Sequence, residues 1–100
     1  MVKHIVVWKM KEEAEGADKQ ENALKVKALL EALKERIPGI LKIEVGIDFS
    51  CTATSGDIVL YAEFDDRAAL EAYQVHPEHE FAAEIVRSVV TERRLVDYEV

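Results

Sequence analysis

LKIEVGIDFSCTATSGDIVLYAEF, Leu41 to Phe64, decides the fold. In its first part Leu41, Ile43, Val45 and Ile47 alternate with Lys42, Glu44, Gly46 and Asp48. In its last part Ile58, Leu60, Ala62 and Phe64 alternate with Asp57, Val59, Tyr61 and Glu63. Successive side chains of a strand point to opposite faces, so each part reads as a strand. Phe49 to Gly56 is a polar loop between them, and the two strands follow one another directly.

Upstream, Pro38-Gly39 stops a helix. Asp18 suits its N-cap, with Glu21 three positions on as in a capping box. Val26, Leu29, Leu30, Leu33 and Ile37 form its apolar stripe, which predicts a helix from Asp18 to Arg36. Before it, Lys11 to Ala17 reads as a loop and Val2 to Met10 as a strand. In that strand His4, Val6, Trp8 and Met10 point one way, and Lys3, Ile5, Val7 and Lys9 the other. Downstream, Asp65-Asp66 can cap a short helix carrying Ala69, Leu70 and Tyr73. Pro77 ends it and suits the first turn of a new helix carrying Phe81, Ala82, Ile85 and Val89. Arg94 to Val100 reads as a last strand.

The order β-α-β-β-α-β is the ferredoxin-like α+β arrangement, a four-stranded antiparallel sheet with helices on one face. One domain over residues 1–100 accounts for it. The helices cover one side only, and Val6, Trp8, Val59 and Tyr61, with part of the last strand, are expected to need cover on the other. A monomer rarely exposes such a patch. Two chains facing each other sheet to sheet, a homodimeric α/β barrel, would close it.

The chain carries 20 acidic and 13 basic residues, a formal net charge of −7. That field argues against nucleic acid and against an anionic membrane surface as partners. No apolar run approaches the ~20 residues of a membrane span, and the N-terminus shows no secretory signal pattern. With Cys51 as the single cysteine no intrachain disulfide forms, and a reducing cytoplasm is the expected setting. Cys51 has no basic neighbour in sequence and reads as a non-catalytic thiol.

Chemistry-bearing residues gather in Tyr73-Gln74-Val75-His76-Pro77-Glu78-His79. Neutral histidine accepts a proton near pH 7, and a tyrosine hydroxyl donates to a developing oxyanion. His76 can either cap the last helix or contribute to a pocket. His79 lies on that helix's first turn. His4 and Trp8, from the first strand, can reach the same end of the sheet. Asp97, in the last strand, is expected to hold His79 in the right tautomer, as the acid does in a catalytic triad. His76, Glu78, His79 and His4 include zinc-ligand types. The His-x-x-His spacing across Pro77 lacks the i, i+4 register of a zincin helix, so neither a metal nor a cofactor is assigned.

Several strings resemble the stress-responsive dimeric α/β barrel (Dabb) family. These are Lys3-His4-Ile5-Val6, Ile37-Pro38-Gly39-Ile40, Ala72-Tyr73-Gln74-Val75-His76-Pro77-Glu78-His79 and Val96-Asp97-Tyr98-Glu99-Val100. The resemblance spans essentially the whole chain and implies a ferredoxin-like protomer in a homodimeric barrel. Most of the family has no assigned reaction, but it includes the plant olivetolic acid cyclase. By resemblance, Tyr73 corresponds to that enzyme's substrate-anchoring tyrosine and His79 to its general base. Asp97 corresponds to the acid supporting the base, and His4 to a further pocket histidine. Leu30 and Asp57 stand where the cyclase has a tyrosine and a histidine, so its activity does not carry over.

Three functions follow as expectations. One is a stress-response barrel that holds a small carbonyl or hydrophobic ligand, its physiological role unassigned. Another is a cofactor-free proton-transfer enzyme of lyase or cyclase type. It would use His79 as base, Tyr73 as oxyanion donor and Asp97 as the orienting acid, with His4, Trp8 and His76 binding substrate. A third is a monooxygenase of the wider barrel superfamily.

Overall fold

The computed structural model describes residues 1–100. Its strands are β1 (Val2–Met10), β2 (Glu13–Ala14), β3 (Ala17–Asp18), β4 (Ile40–Ile47), β5 (Ile58–Phe64) and β6 (Val90–Glu99). Its helices are α1 (Lys19–Glu31), α2 (Arg67–Gln74) and α3 (Pro77–Arg87). The main sheet has the order β4-β5-β1-β6, with every pair antiparallel. This is the ferredoxin-like fold, with the helices on one face of the sheet.

Local chemistry sets the helix boundaries. Asp18 caps α1 by accepting the Glu21 N–H at 2.8 Å, and Asp66 caps α2 by accepting the Ala69 N–H at 2.8 Å. The α-helix ends at Glu31, earlier than its apolar stripe suggests. Ala32–Glu35 tightens into a 3₁₀ turn before Gly39 reverses the chain at φ +94°. The predicted loop before α1 holds a small hairpin, β2 on β3. Its turn residues Glu15 and Gly16 both have positive φ, 51° and 76°, the geometry a two-residue hairpin turn needs.

Strand register corrects the expected faces. Val6 pairs with Leu60 and Trp8 with Ile58, so all four lie on the helix-covered face. Val6 is 1% and Trp8 7% exposed. The uncovered face instead carries Ile5, Val7, Val59, Tyr61, Val96 and Tyr98, the alternate residues of β1, β5 and β6. The apolar patch is real, but β1 enters it one residue out of step with expectation. The reason is that β1 is apolar on both faces, and its pattern alone does not choose between them.

Other differences have equally local causes. A register shift between Ile40 and Lys42 puts Leu41 out of step with Ile43 and Val45, so Ile40 is buried and Leu41 exposed. In α3 the core-facing residues are Ala82 and Val86, followed by Val89, while Phe81 and Ile85 are exposed. β6 begins at Val90, four residues before the expected start. As the outer neighbour of β1, it leaves Leu95, Val96 and Tyr98 exposed.

The β4 edge of the sheet is covered by side chains of α1. On β4, Lys27 Nζ donates to the Val45 carbonyl at 2.6 Å, and Glu31 Oε2 accepts the Val45 N–H at 3.0 Å. Lys27 and Glu31 also pair with each other at 2.8 Å. The Lys27 hydrogen bond, then the Val45 N–H, lowers the Glu31 carboxyl below its usual range. Side chains of α1 thus occupy outward backbone groups of an edge strand and blunt it against further pairing.

Candidate active site

The junction between α2 and α3 builds the site. Tyr73 lies in the last turn of α2. The residue before a proline favours extended backbone, and His76 adopts φ −66°, ψ 135°. From there its Nδ1 accepts the Glu78 N–H at 3.1 Å. His76 is therefore the N-cap of α3, and Pro77 begins that helix. The chain redirects so that His79, in the first turn of α3, comes back over the end of α2. Its Nδ1 lies 3.0 Å from the Gln74 carbonyl oxygen. A carbonyl only accepts, so the proton sits on Nδ1 and Nε2 keeps its lone pair.

Asp97 has a different partner from the one its position in sequence suggests. It lies directly across from His4 in the β1–β6 ladder, on the helix-covered face. Its Oδ1 is 2.5 Å from His4 Nδ1. The expected Asp97–His79 pair is replaced by an Asp97–His4 pair and a Gln74–His79 pair. The cause is again register: Asp97 needs to reach only one strand spacing to meet His4. His4 is 3% exposed, and its Nε2 is the nitrogen left free.

Tyr73 packs against both imidazoles. Its ring centroid is 4.4 Å from that of His79 and 6.1 Å from that of His4, with Phe64 at 5.0 Å. It is 1% exposed, and its buried hydroxyl has no hydrogen-bond partner within the protein. Burial pushes that hydroxyl up to about 12, so it stays a proton donor at neutral pH. Burial first, with the Arg93 charge adding to it, lowers His79 against the opposing pull of the Gln74 carbonyl. His79 is thus a neutral imidazole at pH 7.

These groups line one cavity of about 490 Å³, within the usual size range for small-molecule sites. His4, Tyr73 and His79 share its wall with Trp8, Leu30, Leu60, Val86 and Val90. Of the residues proposed from sequence, His4, Trp8, Tyr73 and His79 come together there. Asp97 stands behind His4, and His76 caps α3 away from the wall. Asp57 is not part of that wall; its Oδ2 accepts the Met10 N–H at 2.7 Å. Arg87 and Arg93 also line the cavity and escaped sequence reasoning. A last strand read from Arg94 leaves Arg93 outside, whereas the alternation Arg93-Leu95-Asp97 places it on the face of His4. Cys51 lies in an exposed loop. No helix is long and apolar enough to cross a membrane.

Comparison with known proteins agrees with this architecture. A dimeric protein of unknown function with a ferredoxin-like fold, from Bacteroides fragilis, shares 35% identity at a TM-score of 0.84, over 99% of this chain and 95% of that one. A dimeric ferredoxin-like protein of unknown function from Jannaschia sp. shares 30% at 0.74, over 99% and 98%. Hydroxynitrile lyase from Passiflora edulis shares the fold, at 17% identity and a TM-score of 0.82 over 97% and 90%. No curated protein matches the sequence. The profile of the Dabb family, the stress responsive A/B barrel domain, matches residues 2–100. With that match and the 35% identical relative, the chain belongs to the stress responsive A/B barrel domain family.

Proposed function

We propose that the protein binds a small carbonyl compound in this cavity and moves a proton on and off its α-carbon without a cofactor. The observation that carries this reading is the buried, unpartnered hydroxyl of Tyr73, a residue whose ring packs against both imidazoles. An unsatisfied buried donor costs stability unless a ligand oxygen accepts from it. The ligand's carbonyl oxygen takes that place, and Tyr73 then stabilises the enolate oxygen as charge develops.

We assign the two histidines the reverse of the roles suggested by resemblance. Protonating His79 is opposed by burial and by nearby positive charge. When His4 Nε2 takes a proton, the imidazolium is met by the Asp97 carboxylate at 2.5 Å. His4 is therefore the base. The C–H bond breaks, its proton goes to His4 Nε2, and its electron pair remains as the enolate. Return of a solvent-exchanged proton completes the cycle. His79, neutral, packs its ring against that of Tyr73 at 4.4 Å between centroids and holds the donor in place.

Deuterium exchange tests this directly. In D2O, proton NMR is expected to show the wild-type protein exchanging the benzylic CH2 of phenylpyruvate or phenylacetone faster than buffer alone. Exchange of neither compound overturns the reading. A cavity that binds a ligand without exchanging it makes the protein a binding barrel.

The assembly we propose is a homodimer in the cytoplasm, the two uncovered sheet faces meeting to close a barrel. Val96 is 58% and Tyr98 42% exposed beside half-buried Ile5, Val7, Val59 and Tyr61, more contiguous apolar surface than a monomer usually shows. The similar Bacteroides and Jannaschia proteins are described as dimeric, in keeping with this. Light scattering should give twice 11.3 kDa, and Val96→Asp should shift the mass toward the monomer. A concentration-independent monomer mass for the wild type overturns the dimer.

A further inference from the structure

The cavity carries a charge pattern at odds with the rest of the chain. The protein as a whole is acidic, net −7, yet two guanidinium groups line this one cavity, Arg93 of β6 and Arg87 in the last turn of α3. Both residues are exposed, which places them at its open end. Neither is in an ion pair, whereas Arg36 and Arg67 are matched with Glu78 and Glu99. Glu92 is the one carboxylate on the wall. It stands across from Lys9, and strand alternation turns it to the opposite face from Arg93.

Arg93 also belongs to the inner site by position. It opposes Trp8 in the β1–β6 ladder and shares a face with Asp97. Its charge is felt at both Tyr73 and His79. An arginine without a protein carboxylate is the residue type best suited to a planar oxyanion, which it can hold with two parallel N–H donors. The deeper wall of Trp8, Leu30, Leu60 and Val86 is apolar.

We infer that the ligand of this cavity is a carboxylate-bearing carbonyl compound, an oxo acid with an apolar body, whose carboxylate is held by Arg93 with Arg87 beside it. This rests on the proton-transfer reading for the role of the carbonyl, and it adds the anionic end and the apolar body. The ketone oxygen accepts from Tyr73, the acidic C–H faces His4, and the apolar body lies against Trp8 and Leu30.

Phenylpyruvate and phenylacetone separate the two ideas, because they differ only in a carboxylate against a methyl group. Binding is read from the fluorescence of Trp8, the protein's one tryptophan, and turnover from deuterium exchange. Phenylpyruvate is expected to bind at least tenfold more tightly than phenylacetone. Arg93→Gln should weaken phenylpyruvate about tenfold, the scale of one charge-assisted hydrogen bond, and phenylacetone much less. Arg36→Gln, which alters a paired arginine outside the cavity, controls for net charge. If phenylacetone binds as well as phenylpyruvate and is exchanged, the anion site is overturned and proton transfer stands. If phenylpyruvate binds through Arg93 but neither compound is exchanged, the anion site stands and proton transfer falls. If Arg36→Gln weakens phenylpyruvate as much as Arg93→Gln does, the effect is one of general charge and the site is overturned. If neither compound binds, both ideas are overturned.

Discussion

His4→Gln is expected to lower the rate of substrate deuterium exchange by about 10²–10⁴-fold, the usual contribution of a positioned general base. Glutamine keeps much of the volume of a side chain that is 3% exposed, and its amide can still donate to Asp97. It cannot accept and return a proton. Asp97→Asn probes the same dyad from behind. An asparagine can turn its amide N–H toward His4 Nδ1, which then must accept, placing the imidazole proton on Nε2 where the substrate proton has to go. A fall of about 10²-fold or more is expected, with substrate affinity little changed, because Asp97 does not reach the cavity. Equal exchange rates for the wild type and both variants would remove His4 from the mechanism and return the role to His79. Circular dichroism and thermal melts establish that the variants are folded.

Tyr73→Phe should separate stability from activity. The hydroxyl is buried and unpartnered, so replacing it with hydrogen in an otherwise unchanged ring relieves an unsatisfied donor. The free protein should become more stable by about 1 kcal/mol, a rise of several degrees in Tm for a domain of this size. The same change deletes the donor to the developing enolate. Exchange should fall by about 10²–10³-fold, the cost of losing one oxyanion donor. Such an exchange of stability for function is expected where a polar group is held ready for a ligand. A fall in Tm would show that the hydroxyl already has a partner in the free protein. Unchanged exchange would show that the substrate oxygen does not use it.

Much of this protein is legible without coordinates. The alternations over Leu41–Ile47 and Ile58–Phe64, the capping aspartates Asp18 and Asp66, and the breaks at Pro38 and Pro77 are local signals with local causes. They lead to the right element order and hence to the ferredoxin-like fold. The Tyr73–His79 stretch is equally visible as the place where reactive side chains gather. His76 as N-cap and Pro77 as helix start follow from the preferences of those residue types alone. The miniature hairpin before α1 is not legible, because two-residue strands carry no periodicity to detect.

Pairing across the sheet is of another kind. His4 and Asp97 are 93 positions apart, and nothing within either strand says which residue of the other it will face. A shift of one residue reverses every side chain of a strand. That single choice decides whether Val6 and Trp8 line the cavity or the open face, and whether Asp97 meets His4 or some other group. It also decides whether Arg93 enters the site. The sequence by itself determined the fold, the helix boundaries within a few residues and the residues capable of chemistry, because those depend on propensity and period. Only the tertiary structure decided which imidazole receives the carboxylate, which stays neutral and where the unpaired arginines lie. Those outcomes depend on register and burial, which form only when distant strands pack.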